Sequence, residues 1–138
     1  MIRVSHDLFR KAVEDAINQN YVDGSGRERS YSEQVYLRES YEDCKCFISP
    51  DSKAGVAVTS DKELVSLFCF SDSVSGGDMI QIAIDNGANN LNCYDEDGFL
   101  PELYKKFGFS ETAREPWNPE YAPESWSGDT PDVVWMKR

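Results

Sequence analysis

The sequence predicts a single α/β domain, of the α+β kind, built on a mixed, mostly antiparallel twisted sheet of about six strands flanked by helices. Three observations point there. At 138 residues the chain has ordinary single-domain size, and neither half reads as a complete unit. Short apolar runs of strand character alternate with stretches of helical periodicity, so both kinds of element share one core. A strand–helix–strand step in the middle of the chain requires one parallel pair joined by a crossover. The domain spans 1–138, with a helical N-terminal part at 1–43 and a sheet part, containing a cleft, at 44–138.

Residues 5–20 place Leu8, Phe9, Ala12, Val13, Ala16 and Ile17 at helical spacing behind Ser5 as N-cap. A loop at DGSGRER follows. Residues 30–43, SYSEQVYLRESYED, then read as a second, more polar helix, with Tyr31, Tyr36 and Tyr41 available to pack or to line a cleft. CKCFIS turns to strand, PDSKAG is a turn, GVAVTS is a second strand, and Glu63 to Phe70 is a third, completing an antiparallel meander. After the polar loop SDSVSGG, DMIQIAIDNGA suits a short helix ended by Gly87. NNLNCYD is a short strand, EDG a turn, and FLPELYKKF a helix closed by Gly108. FSETARE and DVVWMKR are the last strands. The segment between them, 115–131, is rich in proline, carries Trp117, Tyr121 and Trp126, and has no periodicity.

Composition bounds the function. The chain is 40% hydrophobic with 7 Phe, 7 Tyr and 3 Trp, enough for a core, so global disorder is excluded. No apolar run approaches the ~18 residues of a membrane span, and the opening MIRVSHDLFRKAV breaks its hydrophobes with charge, unlike a secretory signal. A soluble cytoplasmic protein is expected. Lys and Arg number 14 against 25 Asp and Glu, a net charge of -11. Residues 71–138 alone carry 5 basic and 13 acidic groups. Attraction to nucleic-acid phosphates is therefore not expected, and a cationic partner or substrate is. Cys44, Cys46, Cys69 and Cys93 read as buried free thiols. With one His and no zinc-type spacing, neither a metal site nor a catalytic triad is expected.

The order of elements, together with LYKKFGF at 103–109, resembles the GCN5-related N-acetyltransferase superfamily, whose fourth-helix signature runs Asn-x-x-Ala-x-x-x-Tyr-x-x-x-Gly-Phe. Tyr104, Gly108 and Phe109 fall on its Tyr, Gly and Phe, while Asp97 stands at the Asn position and Leu100 at the Ala. The resemblance implies transfer of an acetyl group from acetyl-CoA, as cosubstrate, to a primary amine of a small molecule or protein. It also implies that the strands at 63–70 and 91–95 diverge, so that the backbone of Cys69, Phe70 and Ser71 offers an edge to the extended pantetheine.

The pyrophosphate would meet Ser75, Gly76, Gly77 and Asp78 at a helix start, with Asp97 also on the cofactor side. The family's cradle is Gln or Arg-x-x-Gly-x-Gly or Ala. Here no Arg or Gln precedes Gly76 in the loop, and Asp72 and Asp78 bring negative charge toward an anion. The chain thus resembles a divergent member with a degenerate phosphate loop.

Tyr104 takes the place of the family's general acid, because a phenol with a pKa near ~10 stays protonated at neutral pH and can donate to a departing sulfur. Glu63, at the start of the cofactor-side strand, is the base candidate. Asp95 would attract a cationic acceptor, with Trp117 and Tyr121 in a lid over it. The alternative is a non-catalytic acidic protein of the same fold that acts on a basic partner, as some phage-encoded inhibitors do. Direct contact with nucleic acid or membrane is expected in neither case, and the sequence does not determine oligomeric state.

Overall fold

Ser5 starts the first helix by accepting the Leu8 N–H on its hydroxyl, and α1 (His6–Ile17) buries Phe9, Val13 and Ala16 along one face. The computed structural model that places these atoms describes residues 2–22, 26, 28–30, 37–95, 99–116 and 132–138. A short strand precedes the helix, β1 (Ile2–Val4). Two more follow it, β2 (Asn20–Val22) and β3 (Glu28–Ser30), which pair antiparallel as a hairpin.

The helix expected over 30–43 is not found among the described residues there. Ser30 ends a strand, and 37–43 are irregular or turn. Tyr41 gives the reason. Its ring is fully buried and meets Phe9 edge-on at 5.0 Å, so residues 37–43 follow the core contact rather than a weak helical pattern. Tyr31 and Tyr36 lie outside the described residues.

The meander is as expected: β4 (Lys45–Ile48), β5 (Ala54–Val58) and β6 (Leu64–Cys69) are antiparallel neighbours, with β1 on the outer side of β4. All five residues of β5 are buried, because helices cover both faces of this sheet. One face, with α1 and Tyr41, gathers Phe9, Val13, Cys46, Ile48, Ala57 and Phe68. The other gathers Val56, Val58 and Leu64 with the second helix, α2 (Gly76–Asp85), through Met79, Ile80 and Ala83.

A bulge resets β6 midway. Gly55 pairs with Phe68 and Ala57 with Val65, so β6 has one residue more than β5 over this step, and Ser66 takes a φ of 52°. Alternation then restarts. Leu64, Leu67 and Cys69 join the α2 core, while Val65, Phe68 and Phe70 join the α1 core.

Gly87, at φ 98°, ends α2 as expected and leads to β7 (Asn90–Tyr94). Helix α3 (Phe99–Lys105) closes at Gly108, φ 92°, before β8 (Ser110–Glu115) and β9 (Val133–Lys137). These strands form a second sheet in the order β7-β9-β8, antiparallel throughout. The parallel crossover expected between β6 and β7 survives as a single bridge, Glu63 to Asn90. Among the described residues no helix is long and apolar enough to cross a membrane.

Candidate functional site

The site begins where the two sheets part. At their common end Asn89 N–H donates to the Lys62 carbonyl at 2.9 Å, and the Asn90 amide side chain reaches the carbonyls of Asp61 and Lys62, both at 3.2 Å. Beyond the Glu63–Asn90 bridge, β6 keeps β5 as its partner and β7 turns to β9. A wedge therefore opens between two parallel strands, and peptide groups along its edges face it rather than a strand. Phe70 N–H donates to Lys53 O on the β5 side at 2.9 Å, so strand alternation directs the peptide edges of its neighbours Cys69 and Ser71 toward the wedge.

Glu63 sits at the closed apex. Its carboxylate accepts from the Asn92 side-chain amide at 3.3 Å, and its N–H donates to the Thr59 hydroxyl at 3.1 Å. On the opposite wall, Tyr104 projects from α3 into the core shared with Leu91 and Met136 and meets Phe109 edge-on at 5.9 Å. Its side chain is almost wholly buried, and burial, reinforced by Cys93, holds the phenol well above its usual range.

The hydroxyl has no hydrogen bond among the described residues. Cys93 faces it from β7, three residues past the apex. Burial, with the charge of Asp95 added and Arg114 opposing, pushes that thiol up to about 12, so it stays protonated.

The loop that links β6 to α2 is held from outside. The Asp51 carboxylate accepts from the Ser49, Ser71 and Ser73 hydroxyls and from Lys53 N–H, which keeps it far below the usual carboxylate range, Ser49 contributing most. At the helix start, Ser75 and Asp78 form a reciprocal capping box: Asp78 N–H donates to Ser75 Oγ at 3.1 Å, and Ser75 N–H donates to Asp78 Oδ2 at 2.8 Å. A side chain added at Gly76 would meet nothing within 4 Å, whereas one at Gly77 would lie 3.1 Å from the Phe107 ring. Gly76 therefore faces free room beside the helix N-terminus, and Gly77 admits Phe107.

Asp95, expected to face an acceptor, is paired. Its carboxylate takes Arg114 Nη1 at 2.6 Å, and the same guanidinium holds Asp132 at 3.1 Å and Glu111 through Nε at 2.8 Å. Three carboxylates around one guanidinium leave the end of β7 negative overall. Asp97, Trp117 and Tyr121 lie outside the described residues. The sequence marks Cys93 only as a buried free thiol, in line with the period-2 alternation from Leu91 that puts it on the core face, and gives Asn92 no role. Asp51 gave no signal, because two of its three serine partners, Ser71 and Ser73, come from a loop twenty or more residues away.

No family model matches the chain, and no curated protein matches its sequence. Among solved structures it is similar to a Bacillus subtilis acetyltransferase determined in complex with CoA, with a TM-score of 0.53 and 16% identity over 91% of this chain and 90% of that one. It is also similar to nourseothricin acetyltransferase, with a TM-score of 0.44 and 15% identity over 86% and 80%. Two antiparallel sheets parting at one parallel bridge, with helices packed on them, give this chain a fold like that of the Bacillus subtilis acetyltransferase.

Proposed function

We propose that the chain transfers an acetyl group from acetyl-CoA to an amine in the wedge between β6 and β7. The supporting observation is the Tyr104 hydroxyl, unpartnered among the described residues and coupled to Cys93 on the wedge wall, in a fold that this kind of enzyme uses. The pantetheine would pair with the backbone edge around Cys69, Phe70 and Ser71. The diphosphate would meet the N–H groups of Gly76 and Gly77, where the room beside Gly76 fits it. The cofactor when bound supplies the activated acetyl group, as a thioester.

The remaining work belongs to the protein. A new C–N bond forms as the C–S bond breaks, the amine gives up a proton and the sulfur gains one. Tyr104 holds a proton at Oη for the sulfur, and burial, which raises its pKa, keeps that proton in place at neutral pH until thiolate charge develops beside it. Glu63, oriented by Asn92, receives the amine proton directly or through water. The acidic second half of the chain favours a cationic acceptor. Release of CoA thiol, measured over polyamines, aminoglycosides and peptide amines, is expected to depend on both cosubstrates. Cofactor binding without turnover across such a panel would take the acid role from Tyr104.

A second reading rests on Asp78. Its carboxylate already caps the helix end where a phosphate would sit, which suits a non-catalytic acidic protein acting on a basic partner. The two readings separate at this residue. Asp78→Asn keeps an oxygen for the Ser75 N–H and removes the charge, so acetyl-CoA is expected to bind about 2–5-fold tighter, the effect of one charge at a helix terminus. Stability should fall by less than about 1 kcal/mol. Calorimetric titration measures the first and denaturant unfolding the second. Unchanged or weaker cofactor binding would remove the diphosphate from this helix.

A further inference from the structure

Two large hydrophobic side chains stay exposed among the described residues, Ile2 and Leu8, each about half uncovered. They belong to one surface. Ile2 pairs with Ile48 across β1 and β4, and residues paired directly in an antiparallel ladder share a face, so Ile2 lies with Ile48 on the α1 side. There Leu8, Lys11, Ala12 and Asp15, at helical spacing along α1, wall a groove of about 130 Å³ that Ile48 and Ser52 close on the other side. Single exposed hydrophobes are ordinary, whereas two that converge on an apolar groove mark a surface for contact.

The sheet leaves room beside α1. The helix packs mainly over β4, β5 and β6, and the sheet ends at β1. Packed helices lie ~8–10 Å apart, which is about two strand spacings. Counted from β5, that distance reaches β1, so a second helix fits over the end of the sheet.

Charge decides which helix fits. Residues 2–17 carry three basic groups, Arg3, Arg10 and Lys11, and three acidic ones, Asp7, Glu14 and Asp15, so the whole net charge of -11 lies elsewhere in the chain. A cationic partner is drawn to those other surfaces, and a second acidic copy meets least repulsion at this neutral face. The groove is also self-complementary. It carries one cation and one anion, Lys11 and Asp15, which are 3.8 Å apart and mostly exposed, a pair weak enough to exchange.

We infer that the α1–β1 face is a homodimer interface: two α1 helices lie antiparallel about a two-fold axis, with Ile2, Leu8 and Ala12 of both copies closing over the groove. Lys11 of each copy faces the partner's Asp15. One stripe of one helix and the end of a three-residue strand make a small contact, so half-association falls at roughly 10⁻⁵–10⁻³ M. This interface is independent of acetyl transfer.

Sedimentation equilibrium of the wild-type chain at low salt tests it. The mass should rise from 15.6 kDa toward twice that value as concentration approaches about 1 mM. Leu8→Glu, at an exposed position that leaves the core untouched, should weaken association by at least ~10-fold. Lys11→Asp and Asp15→Lys each set like charges opposite one another across the axis, so each alone should stay monomeric where the wild type is half dimeric. Mixed, the two variants should associate again, because the heterodimer regains both opposite-charge pairs. A wild-type chain that stays monomeric throughout, a dimer that Leu8→Glu leaves at full strength, or charge variants that associate no better mixed than alone would each overturn the interface.

Discussion

Replacing Tyr104 by phenylalanine is expected to lower kcat for acetyl transfer by about 10²–10⁴-fold, the span that positioned acid–base groups contribute. Stability should move by less than about 1 kcal/mol, because the hydroxyl has no hydrogen bond to lose among the described residues while the ring keeps its contact with Phe109. Binding of acetyl-CoA should also be nearly unchanged, since the phenol acts on the sulfur only as charge develops there. This pattern, a fall in kcat with cofactor affinity and stability retained, separates a chemical role from a packing one. A variant that turns over at the wild-type rate would leave Tyr104 as a core side chain.

The largest expected loss of stability is at Phe68. Its ring is buried, stands 6.2 Å from both Phe9 and Phe70, and covers Gly55 so closely that a Cβ there would lie 2.7 Å from Cε1. Truncation to alanine should cost about 3–5 kcal/mol, a large share of the ~5–15 kcal/mol that holds a domain together. Gly55 has no side chain to fill the space, and the rigid meander relaxes little around it. Urea unfolding with an unchanged slope would read this as lost stability. A change below about 1 kcal/mol would mean that the α1-side core does not depend on this ring. The effect reaches the wedge as well, because the β6 bulge lies between Val65 and Phe68 and fixes which residues of β6 face it.

Local signals carried most of the fold. Ser5 before Leu8, Phe9 and Val13 is a helix start that needs no tertiary help, and Gly87 and Gly108 mark helix ends through φ values that other residues adopt at a cost. Paired alternation made the meander legible. The helix expected at 30–43 does not extend over its described ends, where long-range contacts prevail: Glu28–Ser30 pairs with Asn20–Val22, and Tyr41 is drawn between Phe9 and Ser66. No local pattern encodes such partners.

The candidate site divides in the same way. The spacing of Tyr104, Gly108 and Phe109 located the acid candidate, but not how deeply its ring is buried or that Cys93 lies beside it. Ser75-x-x-Asp78 has the spacing of a capping box, so the role of Asp78 at the helix start was readable before any role toward a phosphate. The pairing of Asp95 with Arg114 spans nineteen residues and two strands, and charge counting does not reveal it. Likewise, the bulge at Ser66 follows from how β5 and β6 register and not from the residues alone.

The claim that the wedge between β6 and β7 holds acetyl-CoA is tested most directly by thermal unfolding of the wild-type protein with and without the cofactor. Binding to the folded state alone stabilises it by about 2.7 kcal/mol when the ligand is at 100 times its dissociation constant. The midpoint should therefore rise by several degrees as acetyl-CoA is added, saturate, and do so equally in Tyr104→Phe. A midpoint that stays fixed up to millimolar acetyl-CoA would contradict cofactor binding and leave the acidic, non-catalytic reading.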